Sequence, residues 1–349
     1  TIELELNKKR ITSDTSFKTG YKIFDITGGQ LVSDDDYFES LPVTDIIVHS
    51  SNIGTSQISW LLTGQEFREG LLKFCLAQKT GIDLSRDLPG SLKPLRLLDH
   101  KMHRANSSFG YGMMVTFTQL IKAYSAFNND GLAVTPRLVD YLQDAKGKHY
   151  TLPPEIGNMQ AVSKKAANQV HDILLEVVKR GTGVKAQYPG LEVGGKTGTA
   201  HIAKKGRYVR EYHSSFYGFA NDKEGHKYTI GALVIRAKKP YKYFASQSAV
   251  PTFRRMLDIL VELDYLKPEG GLEVTSPEIK IEPKTPPKII HEPIVPQKEK
   301  KKQVVVEPVK KQKPSVKELF KLEPIPDPKP VSTKPAKEKS TQELFEDLF

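Results

Sequence analysis

Proline divides this chain into a part that can fold and a part with little means to. Of its 23 prolines, 14 fall after Tyr265. Beyond that point the only aromatic residues are Phe320, Phe345 and Phe349. Lys and Glu crowd together there in near balance, as in Lys298-Glu299-Lys300-Lys301-Lys302. Proline removes amide donors, and the sparse apolar groups cannot offset the entropy of ordering. Residues 266–349 are therefore expected to form a disordered Pro/Lys/Glu-rich tail, which leaves residues 1–265 to build one domain.

Within those residues the periodicity predicts helices over about Gly54–Gln78, Thr116–Asn129 and Ser246–Leu263. A further helix is expected with Ser163 as its N-cap and Gly181 as its end, carrying Val170, Ile173, Leu174 and Val177 on its inner face. Strand-like runs cover Leu191–Ile202, Tyr212–Ala220 and Tyr228–Ile235, the last two separated by the polar turn Asn221–His226. Strands in succession followed by a helix imply an α+β class, with an antiparallel sheet flanked by helices.

The bulk properties narrow the function classes. The net charge is +11. Its basic residues are interspersed with acids and no nucleic-acid motif accompanies them, so nucleic acid is not expected as a partner. No apolar run approaches the roughly 20 residues needed to span a bilayer. Cys75, the only cysteine, sits in an apolar run and reads as a buried thiol rather than a reactive one. His49, His201 and His213 show no metal-ligand spacing, so no metal is expected.

Two short motifs carry the chemistry. Lys196-Thr197-Gly198-Thr199-Ala200 lies on a strand, where a cation, hydroxyls and edge amides can serve acyl transfer. Gly198 has no side chain to block a close approach to that backbone. Ser50-Ser51-Asn52 lies ahead of a helix. Ser50 can relay a proton and Asn52 can donate to a carbonyl, although Ser and Asn are equally good helix caps. Between them come Ser108-Phe109-Gly110-Tyr111-Gly112-Met113-Met114-Val115-Thr116 and then Gly181-Thr182-Gly183. Phe109 and Tyr111 suit a site wall or a core. The sequence contains no Ser-x-x-Lys.

This set resembles the transpeptidase domain of class B penicillin-binding proteins, and its division-specific (septal) branch best, over about residues 1–265. The resemblance implies the penicillin-binding protein/β-lactamase-like fold and an acyl-serine reaction on peptidoglycan stem peptides ending in D-Ala-D-Ala, with β-lactams as inhibitors and no cofactor. It implies that Ser50 shuttles a proton, Asn52 orients substrate and Lys196 supports proton transfer. Thr197, Gly198 and Thr199 would bind substrate, the two hydroxyls facing its carboxylate and the Thr199 amide donating to the oxyanion. The nucleophile's Ser-x-x-Lys is expected shortly before Thr1, together with a membrane anchor, so the chain is expected to be N-terminally incomplete. The location implied is the inner membrane, with the catalytic domain on its outer, periplasmic face, among division-complex membrane proteins. A serine β-lactamase or D,D-carboxypeptidase would use the same motifs, though the Phe-Gly-Tyr-Gly string favours the transpeptidase. A catalytically incomplete interaction module also stays open, because Glu318-Leu319-Phe320 and Glu343-Leu344-Phe345 repeat in the tail.

Overall fold

The computed structural model describes residues 6, 8–21, 23–26, 31–151, 156–204, 207–238 and 243–270. The chain separates into two units, Thr1–Pro277 and Glu278–Phe349, and only the first contains described residues. The expected tail lies outside the described residues from 271 onward, as do both Glu-Leu-Phe segments. The packed chain itself runs past Tyr265. Leu266 is 1% exposed, Lys267 N donates to Asp222 Oδ2 at 3.0 Å, and Glu269 N donates to the Gly190 carbonyl at 2.9 Å.

A three-stranded antiparallel sheet forms the centre. Its strands are β1 (Glu192–Lys204), β2 (Arg207–Asn221) and β3 (Lys227–Lys238), in the order β3-β2-β1. Alternation along β2 sends Phe216 and Ala220 to one face and Tyr217 and Phe219 to the other. On the first face they meet Val250, Phe253 and Leu257 of the closing helix, with the Phe216 and Phe253 rings edge-on at 4.6 Å. On the second, Phe219 joins Val170, Ile173 and Leu174 of the long helix.

Glycines let the strands of this sheet pack so tightly. A Cβ on Gly194 would lie 2.3 Å from the Phe219 ring, one on Gly195 2.6 Å from the Phe216 ring, and one on Gly218 2.2 Å from the Gly194 carbonyl. The pair before Lys196 therefore makes room for two phenylalanines, one on each face.

Among the described residues the longer helices, in chain order, are α1 (Val43–Val48), α2 (Asn52–Ser59), α3 (Gly64–Lys73), α4 (Lys101–Ser108), α5 (Phe117–Ser125), α6 (Lys164–Arg180) and α7 (Ala249–Glu262). Helix α6 starts and stops where its sequence says. Ser163 Oγ accepts from Ala166 N at 3.3 Å, and Gly181 follows the last turn.

The single helix expected over Gly54–Gln78 is instead two. Thr63-Gly64-Gln65-Glu66 is a reciprocal capping box that starts α3 afresh. Thr63 Oγ1 accepts from Glu66 N at 3.1 Å, and Glu66 Oε2 accepts from Thr63 N at 2.8 Å. Gly64 then fits against Leu98 and Asp99, where a Cβ would come within 2.4 Å of the Asp99 carboxylate.

Helix α5 holds a second surprise. Gln119 and Lys122 are fully buried. Gln119 Nε2 donates to the carbonyls of Cys75, Gln78 and Pro89. Lys122 Nζ donates to the Thr80 carbonyl and Thr135 Oγ1, each at 2.8 Å. Two polar side chains thus pin loops to the helix by satisfying carbonyls that burial would otherwise strand. Cys75 is buried as expected, and burial raises its thiol pKa.

The tightness around Gly194 is testable. Gly194→Ala should lower unfolding stability by about 1–3 kcal/mol, because the new methyl must displace a fully buried ring. An unchanged denaturation midpoint would contradict the packing described.

Candidate active site

The turn between α1 and α2 presents Ser50. The end of α1 is a Schellman arrangement. Ser51 N donates to the Ile46 carbonyl at 2.9 Å and Ser50 N to the Ile47 carbonyl at 3.2 Å. That arrangement wants a left-handed residue, usually Gly, after the helix cap. Here the residue is Ser50, with φ of 60°. A non-glycine residue in that region costs of order 1–3 kcal/mol, and in exchange the turn aims a hydroxyl outward.

Ser51, not Ser50, is the helix cap. Its Oγ accepts from Gly54 N at 2.9 Å. Capping therefore explains Ser51 and leaves Ser50 free for the site. Asp34 secures the turn from a separate loop. Its carboxylate accepts from Ser51 Oγ, from Asn52 N at 2.6 Å and from Ile53 N at 3.1 Å. A carboxylate at a helix N-terminus is favoured by the unpaired amides and by the helix dipole. Asn52 is the first residue of α2, and its side-chain amide donates to the Ser33 carbonyl at 3.4 Å.

Strand β1 presents Lys196. Its Nζ donates to Ser50 Oγ at 2.5 Å, and to Thr197 O and Thr197 Oγ1 at 3.2 Å each. The two sequence motifs, 146 residues apart, meet in this one contact. The ammonium is packed round by protein, and desolvation lowers its pKa from the usual 10.5 to about 8. A lysine titrating there can give and take a proton near neutral pH.

A residue the motifs do not include stands beside it. Thr182 Oγ1 lies 2.8 Å from Thr197 Oγ1. Thr182 is brought there by flanking glycines. A Cβ on Gly181 would lie 2.6 Å from the Val48 carbonyl, and one on Gly183 3.3 Å from the Phe216 ring. The ion pair between Arg180 and Asp45 at 2.5 Å ties the end of α6 to α1, so the Thr182 loop and the Ser50 turn share a frame. The Gly-Thr-Gly string was the only available signal for Thr182.

Among the described residues β1 pairs with β2 alone. Its outer edge is open, and Thr199, Ala200 and His201 are exposed along it. Thr199 Oγ1 accepts from Ala245 N at 3.3 Å, which ties the strand to the segment before α7 and leaves the hydroxyl proton to donate. Gly198 lies opposite Ser215, and the Ser215 hydroxyl occupies the side a Cβ would take. The structure therefore unites Ser50, Lys196 and Thr197, adds Thr182, places Gly198 and Thr199 on the same strand, and engages Asn52 with Ser33. His49 packs on Phe38 at 4.4 Å, and His201 lies by Tyr212 at 4.6 Å.

The penicillin binding protein transpeptidase domain model matches residues 6–258. The peptidoglycan D,D-transpeptidase FtsI of Buchnera aphidicola is 29% identical over 269 residues, which is 76% of this chain and 45% of the relative. The chain thus spans less than half the length of that relative. The apo transpeptidase domain of penicillin-binding protein 3 from Burkholderia pseudomallei is similar in structure, with a TM-score of 0.64 and 27% identity over 77% of this chain and 78% of that one. Penicillin-binding protein 3 from Mycobacterium tuberculosis, complexed with ampicillin, has a TM-score of 0.69 and 25% identity over 78% and 62% of the two chains.

The lowered Lys196 pKa has a signed consequence. The unfolded chain holds the proton up to about pH 10.5, whereas the fold releases it near pH 8. The unfolded state therefore binds more protons between those values, and stability rises with pH across that window. The parent should gain melting temperature relative to Lys196→Met as pH is raised from about 8 to 10. A difference between the two that stays constant with pH would contradict a desolvated ammonium.

Proposed function

The chain belongs to the penicillin-binding protein transpeptidase family, and from that membership we propose that its full-length protein cross-links peptidoglycan as a serine D,D-transpeptidase. The observation that carries the reading is the hydrogen bond from Lys196 Nζ to Ser50 Oγ. It turns two separate sequence motifs into one proton-transfer pair. The chain contains no Ser-x-x-Lys, so the reading takes the nucleophilic serine and its lysine from a part of the full-length protein outside these residues.

The reaction then runs in two halves. The serine hydroxyl attacks the carbonyl carbon of the penultimate D-Ala. Its proton passes through the Lys196–Ser50 pair to the departing nitrogen. The C–N bond breaks, terminal D-Ala leaves, and an acyl-ester remains. An amine on a neighbouring stem attacks that ester, forms the cross-link, and returns the proton to the serine oxygen. Thr182 and Thr197 offer hydroxyls to the substrate carboxylate, and the Thr199 amide on the open edge of β1 donates to the oxyanion. Asn52 would exchange its long contact with Ser33 for the substrate's amide carbonyl. β-Lactams would acylate the same serine.

The finer parts of the reading follow from the septal resemblance and the FtsI relative. They are a role in septum formation, a place on the outer face of the inner membrane, and division proteins as neighbours.

The direct check is labelling of the full-length protein with a fluorescent penicillin. The expected result is a stoichiometric, boiling-resistant label. Lys196→Ala should slow its formation by roughly 10²–10³, the usual effect of removing one such group. A protein that takes no label, or a Lys196→Ala variant that labels at the parent rate, would refute the reading. Slow loss of the label would favour transpeptidation, and rapid hydrolysis a β-lactamase or carboxypeptidase.

A further inference from the structure

Lys93 crosses a loop that begins beside the site. Ser91 and Met114 exchange both backbone hydrogen bonds, at 2.8 and 2.9 Å. That antiparallel pairing sets Lys93 against Gly112, two residues along each segment. Gly112 has a φ of 76°, and a Cβ there would lie 2.2 Å from Lys93 Cε and 2.8 Å from its Nζ. Glycine at 112 thus serves a left-handed backbone and makes room for the lysine stem. The loop reaches Gly112 from Ser108 and Phe109. Phe109 packs in one cluster with Ile53, the residue after Asn52, and Ser108 Oγ donates to the Thr55 carbonyl at 3.4 Å. The ammonium is therefore delivered to a surface that runs off the first turn of α2.

Its surroundings are basic. Lys93 Nζ lies 3.1 Å from His103 Nδ1 on α4, and the His103 ring meets the His100 ring edge-on at 6.2 Å. Among the described residues no carboxylate pairs with Lys93, His100 or His103. Desolvation lowers the Lys93 pKa, and desolvation together with the Lys93 and His100 charges lowers that of His103. Both side chains are half-buried, and both shifts have the sign of a cation without a counter-ion. A neutral His103 that accepts at Nδ1 carries its proton on Nε2, and an ammonium has two N–H groups beyond the one that Lys93 shares with the ring. The pair offers three donors and one positive charge.

We infer that Lys93 and His103 form a subsite for a carboxylate of the stem peptide, upstream of the D-Ala-D-Ala that occupies the site. The charge selects the ligand. One cation matches a carboxylate monoanion through charge-assisted hydrogen bonds, whereas a phosphate dianion would keep half its charge unmet. The place also selects a peptide. An extended chain advances about 3.3 Å per residue, so a stem leaving the site along the Ser108–Gly112 loop brings its upstream side chains towards Lys93. The inference rests on the transpeptidase reading and adds a specificity determinant outside its motifs.

The test uses the full-length protein and two series of synthetic peptides ending in D-Ala-D-Ala. In one series a glutamate occupies, in turn, each of the three positions ahead of that pair. In the other a glutamine takes its place. Each peptide is read by the concentration that halves the rate of labelling by a fluorescent penicillin. At one position of the series the parent should favour glutamate over glutamine roughly tenfold, the scale of a hydrogen bond to a charged group. Lys93→Met keeps a stem over Gly112 and should erase that preference by weakening the glutamate peptide alone. Lys93→Glu should reverse it, and His103→Phe should reduce it. A parent with no preference at any position, or a Lys93→Met variant that weakens both peptides equally, would overturn the inference while leaving the transpeptidase reading intact. Inorganic phosphate that abolished the preference at the peptide's own concentration would mark a phosphate site and overturn it too. A parent protein that takes no penicillin label would overturn both.

Discussion

The contact between Lys196 Nζ and Ser50 Oγ, 2.5 Å long, is the point on which the rest of the site depends. A lysine with its ammonium desolvated sits against a hydroxyl held in a backbone conformation that serine rarely adopts. Neither condition is favourable alone. The fold supplies each with local support, and the support comes from elements far apart in sequence.

On the serine side, two helices are joined end to start by three residues. The Schellman end of α1 fixes Ser50, and Ser51 both completes that end and caps α2. The Asp34 carboxylate then takes up the remaining amides of α2, so the turn is held by hydrogen bonds from two directions. On the lysine side, the strand is fixed by packing. Gly194 and Gly195 admit Phe219 and Phe216, which lock β1 to β2 and anchor the sheet to α6 and α7. Arg180 and Asp45 close the frame between the two sides. Ser50 and Lys196 are mounted on a helix junction and a packed strand rather than on long loops.

Much of this was legible in the sequence because it is local. The bounds of α6 follow from Ser163 and Gly181, and the three central strands follow from their alternation. The motifs at Ser50 and Lys196 point to the two groups that meet. What was hidden depends on approach in three dimensions. Asp34 stands in an acidic loop that resembles ordinary solvated surface until it is seen under α2. Ser215 is one of two adjacent serines, and only register tells which one faces Gly198. Gln119 and Lys122 are polar side chains on a helix, yet they are buried because neighbouring loops offer carbonyls to both. The break before Thr63 was readable. Its Thr-x-x-Glu signature lay inside a longer apolar pattern that suggested a continuous helix, and the capping box outweighed that periodicity.

The claim that Ser50 and Lys196 act as one proton-transfer unit is tested most directly by a double-mutant cycle on penicillin acylation of the full-length protein. Ser50→Ala and Lys196→Ala are each measured alone and then together. Groups that work as a unit are strongly non-additive, so the double variant should acylate about as slowly as the slower single variant. A double variant whose rate falls by the product of the two single effects would show that the two side chains act independently, and that the contact between them is not the centre of the site.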